Sequence, residues 1–235
     1  MNASPGKVET ALFAVGFAIA GLVILAIVWS GTAAYEDMAK VNGVDQATLI
    51  AQLPGGGTYI TDRNGLVIIH GRWSTYITGG VADPPRFEPP LFTEDEYSHM
   101  ADVRRVFDGA KLLIPAGLFV MAIRLQRARV RSAEAMFRLV RDGAVAAGVV
   151  VAALGIIAAL AFEQAFLLFH EVFFPQGNFL FDPATSNLVR LYPDWYWQGI
   201  TFRIGLSFIA VAAAVAVAAA VGLRRGRGTS PRSLH

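Results

Sequence analysis

The sequence of 235 residues contains no cysteine. A segment outside the cytoplasm therefore cannot be stabilised by disulfides, and no thiol is available as a nucleophile or redox centre. Thiol oxidoreductases and cysteine-dependent acyltransferases are excluded. A GxSxG motif is also missing, so nothing in the sequence indicates the nucleophile elbow of a serine hydrolase.

Charge is scarce as well. Charged residues make up 16% of the chain and hydrophobic residues 54%, with a mean hydropathy of +0.48, which is typical of a membrane protein. Three uncharged runs, within residues 10–35, 143–162 and 204–223, are long enough to cross a bilayer. A fourth apolar run near residues 109–127 contains Pro115. We predict a kinked span there, because Lys111 and Arg124 can extend to opposite interfaces.

Arginine sets the expected orientation of these four spans. Six arginines and one glutamate lie within residues 124–141, and four more arginines follow Leu223, so both segments are predicted to face the cytoplasm. Residues 31–108 hold eleven acidic and six basic residues and are predicted to face outward. Both termini are then cytoplasmic. The first span could instead be a signal peptide, but its length favours an uncleaved anchor.

The same charge pattern limits the classes of function. The pI of about 9.1 requires no nucleic-acid partner, because the basic residues are explained by topology. Channels and transporters usually carry ionisable residues at mid-bilayer, whereas those of this chain lie at the edges of the spans.

These signals predict a mainly α membrane protein with four transmembrane helices and a small extracytoplasmic α+β cap. The predicted segments are an N-terminal tail and first span (1–30), the cap (31–108), the second span (109–127), a cytoplasmic basic loop (128–141), the third span (142–163), an aromatic-rich extracytoplasmic loop (164–198), the fourth span (199–223) and a disordered basic tail (224–235).

Within the cap we predict a short helix at residues 45–52, a turn at 62–65, and strands at Val67, Ile69 and the two TYIT runs, 58–61 and 75–78. A helix follows the prolines of DPPRFEPP. Thr93 and Glu96 form a capping box at its start, and Arg104 and Arg105 suit the dipole at its end.

Two histidines are candidate functional residues. His99 lies on the capped helix, where Asp95 and Asp102 can share its face, although an ordinary surface histidine paired with Asp102 is the alternative. His170 lies in the apolar string FHEVFF and must find a partner there. Both should lie within about one to two helical turns of the predicted outer membrane surface and could meet there. His70, on a predicted strand, is interpreted as structural, and His235 ends the tail.

A metal site is a second interpretation. His99, Asp102, His170 and Glu171 offer two imidazoles and two carboxylates, which could bind Zn²⁺. Their spacing matches no ligand motif such as HExxH.

Two strings carry a resemblance to a known family. LFTEDEYSHMADVRRVF begins at Leu91, and FHEVFFPQGNFLFDPATSNLVRLYPDWYW begins at Phe169, about seventy residues later. Together they resemble the paired signatures of the bacterial four-span membrane family that includes lipoprotein intramolecular transacylase. The second string belongs to residues 162–197, which hold eleven aromatic residues. The segment 31–90 matches only loosely.

The resemblance implies a membrane acyltransferase of the bacterial cell membrane, with its active site where the cap meets the membrane. Its substrate would be a diacylglyceryl lipoprotein, whose sn-2 acyl chain moves to its own N-terminal cysteine amine to give a lyso-form lipoprotein. No cofactor is implied. The resemblance implies that His99 and His170 are catalytic and that they lie in an aromatic-rich pocket. For this chain we expect Asp102 and Glu171 to be supporting residues. We expect the substrate pocket to be formed by Phe169, Phe173, Phe174, Phe181, Tyr192, Tyr196 and Trp197.

This reaction suits the residues present, because transfer from an ester to an amine within one molecule requires positioning and proton transfer but no enzyme nucleophile. Two other functions stay open: a non-catalytic lipid-binding or scaffold membrane protein, and a metal-dependent hydrolase acting at the outer leaflet.

Overall fold

The computed structural model describes residues 6–228, so most of the predicted tail, with His235, lies outside the described residues. The chain divides into two compact units. We call residues 6–25, 111–157 and 204–228 the helical unit, and residues 26–110 and 158–203 the mixed unit.

The described residues form eight helices and two strands. In chain order they are α1 (Lys7–Trp29), α2 (Thr32–Val41), β1 (Gln46–Ile50), β2 (Thr58–Asp62), α3 (Arg63–Ile77), α4 (Glu94–Arg131), α5 (Ala133–Leu160), α6 (Phe162–Phe173), α7 (Asn187–Leu191) and α8 (Asp194–Gly228).

Four helices, α1, α4, α5 and α8, are long and apolar enough to cross a membrane. The four predicted spans are thus confirmed. The second is part of a continuous helix of 38 residues, which includes Pro115 and also contains the capped helix predicted before it. Ser132 alone separates α4 from α5, so helices occupy most of the segment predicted as the basic loop.

Packing in the helical unit depends on small residues at one helix crossing. A Cβ atom added to Gly117 of α4 would lie 2.7 Å from the Gly16 carbonyl oxygen of α1, too close for any side chain. Glycine at both positions therefore lets the two backbones approach. Near the start of α1, Glu9 pairs with Arg127 at 3.5 Å and with Arg131 at 3.3 Å.

The mixed unit contains a two-stranded antiparallel sheet, in which Gln46 of β1 lies opposite Asp62 of β2. Asn187, at the start of α7, forms hydrogen bonds with both backbone groups of Ile50, the last residue of β1. Its side-chain oxygen accepts from the Ile50 N–H, and its NH₂ group donates to the Ile50 carbonyl. This fully buried amide joins two segments that are far apart in sequence.

Several predictions for the cap are wrong. Residues 46–50, within the predicted helix at 45–52, form strand β1, and the predicted strands at Val67, Ile69 and residues 75–78 lie in or at the end of helix α3. Asp62 does not begin a hairpin turn: its side chain accepts the Gly65 N–H at 2.8 Å and caps α3. Turn residues and helix N-caps use the same Asp chemistry, and the helix prevails because it buries one side of the segment.

The buried side of α3 consists of Leu66, Ile69, His70, Trp73, Ser74, Tyr76 and Ile77. Spacings of three and four are typical of a helix. His70 consequently lies on a helix and not, as predicted, on a strand.

The capping box at the start of α4 is confirmed. The Thr93 N–H donates to the Glu96 carboxylate at 2.8 Å, and the Glu96 N–H donates to the Thr93 hydroxyl at 3.2 Å. Two of the N–H groups left free at the helix start are thereby satisfied.

Candidate functional site

The first turn of α4 is fixed by a buried carboxylate. Beyond the capping box, Glu96 accepts the Ser186 hydroxyl at 2.7 Å and the Leu188 N–H at 2.8 Å. These bonds hold α4 against the segment that leads into α7. His99, one turn further along α4, is buried with 8% of its surface exposed.

His170 is the one buried residue of α6, whose other side chains are at least partly exposed. Its Nδ1 lies 2.8 Å from the carbonyl oxygen of Phe166, one turn earlier. A carbonyl only accepts, so Nδ1 carries the proton and Nε2 is left with a lone pair when the ring is neutral. Burial lowers the pKa of His170 below its usual 6.5, with the Phe166 carbonyl opposing the shift. Burial therefore favours the neutral ring.

The structure brings His99 and His170 together. Their ring centroids are 6.2 Å apart and the ring planes differ by 18°. Phe174 packs against both, at 4.9 Å from the His99 ring and 5.4 Å from the His170 ring. Two nearly parallel imidazoles thus share one apolar enclosure within the mixed unit.

Asp102 is placed differently from the expectation that it pairs with His99. Its Oδ2 accepts the side-chain amides of Gln176 and Asn178, each at 2.6 Å, and Arg105 forms an ion pair with the same carboxylate. Asn178 instead lies beside the His99 ring. Asp102 is therefore bonded to Asn178, a neighbour of His99.

These groups line a cleft of about 550 Å³. Its walls are Ser98, Asp102, Arg105, Val106, Phe173, Gln176 and Asn178. Asp102, Arg105, Gln176 and Asn178 give the cleft polar walls, and Val106 and Phe173 give it apolar ones, so it can accept a group with both polar and apolar parts.

The phenylalanines predicted for the pocket surround the two histidines. Phe181 lies 5.6 Å from His99, and Phe169 lies 5.5 Å from His170. Phe173 packs on Phe169 and is half exposed. Sequence reasoning missed Phe166 and Phe179, whose rings lie 4.1 Å and 5.2 Å from that of His170. Phe166 could have been found, because it precedes His170 by one helical turn.

Tyr192 and Tyr196, also predicted for the pocket, belong chiefly to a second cluster, around His70. The Tyr192 hydroxyl lies 3.3 Å from His70 Nδ1, and Tyr35 stacks on the His70 ring at 4.4 Å. Trp197 lies at the edge of both clusters, 6.5 Å from His170 and 5.2 Å from Tyr196.

His70 has partners at both ring nitrogens, because Nε2 lies 3.1 Å from the carbonyl oxygen of Ser30. Burial lowers its pKa to about 4, although the backbone of Ser30 and Gly31 opposes the shift. A neutral, fully engaged ring of this kind supports the fold and offers no free nitrogen for chemistry.

Glu171, the other predicted supporting residue, lies on the exposed side of α6. Among residues 6–228 no group of three or more His, Asp or Glu side chains is arranged to hold a metal ion. The metal interpretation therefore finds no ligand set in this part of the chain.

Comparison with known proteins agrees with this architecture. The structure is similar to that of the membrane-integral lipoprotein intramolecular transacylase Lit from Bacillus cereus, with a TM-score of 0.74 at 14% identity, covering 95% of this chain and 98% of the other. A variant of that protein with one histidine replaced by arginine matches with a TM-score of 0.71 at 13% identity, covering 95% and 94% of the two chains. A variant with alanine gives 0.72 at 14%, covering 95% and 96%.

At such low identity these likenesses show the fold alone. No curated protein sequence matches the chain significantly.

The family to which the chain belongs is shown by a match to a family model. The model described as lipoprotein intramolecular transacylase Lit matches residues 8–197, which is most of the chain. The match includes both strings on which the resemblance rests, and the family is one of membrane-embedded acyltransferases. The chain, a multi-pass membrane protein, therefore belongs to the family of the lipoprotein intramolecular transacylase Lit.

Proposed function

We propose that the protein transfers the sn-2 acyl chain of a diacylglyceryl lipoprotein to the N-terminal cysteine amine of the same molecule, giving a lyso-form lipoprotein. The observation that carries the proposal is the pair of buried, nearly parallel imidazoles of His99 and His170 inside an aromatic enclosure. Membership of the Lit family supplies the substrate class.

Two bases match the proton balance of this reaction. An α-amine with a pKa near 8 arrives mostly as an ammonium ion and must lose two protons to become an amide nitrogen. One imidazole takes the first proton, which frees the lone pair that attacks the ester carbonyl. The other takes the second proton from the tetrahedral intermediate.

The leaving group takes up one of these protons. As the C–N bond forms and the ester C–O bond breaks, the glyceryl oxygen receives a proton from an imidazolium, and the second proton passes to solvent. The phenylalanines around His99 and His170 would hold the acyl chains, and the cleft beside Asp102 would hold the polar end of the substrate.

Arginine distribution supports an orientation for this chemistry. We place both termini and the α4–α5 connection in the cytoplasm and the mixed unit on the outer side of a bacterial cell membrane, because the arginines cluster near that connection and after Leu223. The site then faces the leaflet where mature lipoproteins reside.

Purified protein in proteoliposomes with a synthetic diacylglyceryl lipopeptide tests the reaction. Mass spectrometry should find an acyl group moved to the amine with no change in total mass. His99→Ala and His170→Ala should each slow this transfer at least about 100-fold. Release of free fatty acid by the wild-type protein would indicate a hydrolase, and an unmodified lipopeptide would favour a scaffold.

Exposed Glu94 supplies the matched control. Glu94→Gln, on the same helix as His99 but with its side chain largely in solvent, should retain the wild-type rate. Activity in both histidine variants would contradict the proposal.

A further inference from the structure

The amide of Asn178 lies between the candidate base His99 and the buried carboxylate of Asp102. Its Nδ2 donates to Asp102 Oδ2 at 2.6 Å, and Asp102 is held in place by Gln176 and Arg105. An ionised carboxylate only accepts hydrogen bonds, so the NH₂ group of Asn178 must face Asp102. The amide oxygen, Oδ1, therefore points away from Asp102.

Two buried polar atoms remain on these neighbouring side chains. Asn178 Oδ1 and His99 Nδ1 each lack a well-aligned hydrogen bond within the described part of the chain. The Asn178 side chain nevertheless lies within hydrogen-bonding reach of the His99 ring. Each such atom left unsatisfied costs the fold free energy. A hydrogen bond between these two atoms would remove both costs at once.

The chemistry of that bond is directional. An amide oxygen can only accept, so His99 must donate from Nδ1, and its Nε2 is left with the lone pair. The same state holds at His170, where the Phe166 carbonyl accepts from Nδ1. The two imidazoles would then both present an unprotonated Nε2.

We propose that Asn178, oriented by Asp102, is a positioning residue that holds His99 in its Nδ1–H tautomer. This role rests on the proposed function only for its effect on rate, since the tautomer exists whether or not the lipoprotein is the substrate. The residue touches no reacting atom and acts through His99.

Nitrogen-15 NMR of the full chain, labelled at histidine and reconstituted in detergent micelles, measures the tautomer directly. His99→Gln identifies the His99 signals. In the wild-type protein Nδ1 should give the shift of a protonated nitrogen and Nε2 that of an unprotonated one. Asn178→Leu should lose this pattern, whereas Gln176→Leu, which removes another donor from the same carboxylate, should keep it.

Kinetics with the diacylglyceryl lipopeptide provide a second readout. Asn178→Leu should lower kcat about 100-fold. Glu94→Gln, which lies outside the cleft, should keep the wild-type kcat. Asn178→Asp keeps an acceptor for Nδ1 but adds a negative charge, so the acidic limb of the pH profile of kcat should move to higher pH.

The outcomes separate this inference from the reaction itself. If wild-type protein transfers no acyl group but Asn178→Leu still changes the tautomer, the reaction fails and the positioning role stands. An unchanged His99 tautomer in Asn178→Leu, or a wild-type kcat in this variant of an active protein, would overturn the positioning role.

Discussion

His70 and His170 are both buried, but their ring nitrogens are used differently. Both nitrogens of His70 face partners, Tyr192 and Ser30, whereas the Phe166 carbonyl engages only Nδ1 of His170. Burial favours the neutral ring in each case, because a charged imidazole loses its hydration. Equal burial therefore serves the fold at one residue and leaves a potential base at the other.

The stability of the fold should depend on pH through His70. Its pKa is about 4 when folded and near 6.5 when unfolded, so the unfolded chain binds the proton more readily. The contribution is complete above pH 6.5 and is lost as pH falls toward 4, by about 3 kcal/mol. His70→Gln should flatten this dependence, as measured by thermal unfolding across that range with tryptophan fluorescence.

His99 and His170 act in the same direction, because burial also lowers their pKa values, so the slope of the variant should fall without vanishing. Thr75→Ser, one turn away on the exposed side of α3, is the matched control and should keep the wild-type slope. An unchanged pH dependence in His70→Gln would show that this ring does not contribute.

At the scale of elements, some features could be predicted from sequence because their signals are local. An uncharged run of some 20 residues predicts a membrane span, and a Thr–Glu pair three residues apart predicts the start of α4. Neither signal depends on the rest of the chain. Helix α3 could not be predicted in this way, since Asp62 suits a turn and an N-cap equally and the burial of Leu66 and Trp73 decides between them.

The candidate site, like the fold, could be predicted from sequence only in part. His99 and His170 could be expected to meet because each follows or precedes a span by a few helical turns. The partners of Asp102 could not be predicted, because Gln176 and Asn178 lie more than seventy residues away and reach it only through the path of the chain after α6. The resemblance implies an aromatic-rich pocket, but it does not separate the aromatic residues around His70 from those around His170.

The placement of α4 should depend on Glu96. This carboxylate is almost fully buried and accepts from Thr93, Ser186 and Leu188. Glu96→Ala would leave these donors unsatisfied, and we expect a loss of about 3 kcal/mol in the free energy of unfolding. Thermal unfolding in detergent measures the loss, and the transfer rate should fall with it because His99 lies one turn further along the helix.

Two substitutions sharpen that test. Glu96→Gln retains an acceptor oxygen and should lose less stability than Glu96→Ala. Glu94→Gln, in the same turn but exposed, should unfold at the wild-type temperature, since its ion pair with Arg86 spans 3.6 Å in solvent. Equal stability of Glu96→Ala and the wild type would contradict a fixing role for this carboxylate.

For the whole molecule, the distribution of arginine should decide which side of the membrane each connection occupies. The absence of cysteine makes the chain a clean background for labelling, because any thiol signal comes from an introduced residue. Ala82 precedes α4 and Ala133 begins α5, and both side chains are exposed. A membrane-impermeant maleimide added to spheroplasts should label Ala82→Cys, and should label Ala133→Cys only after the membrane is permeabilised.

The reason is the cost of moving arginine across the membrane. Six arginines against one glutamate surround Ala133, whereas acidic residues exceed basic ones in the segment containing Ala82. The unsubstituted chain must show no labelling. Labelling of Ala133→Cys in intact spheroplasts would reverse the orientation and place the His99–His170 pair on the cytoplasmic side, where a mature lipoprotein could not reach it.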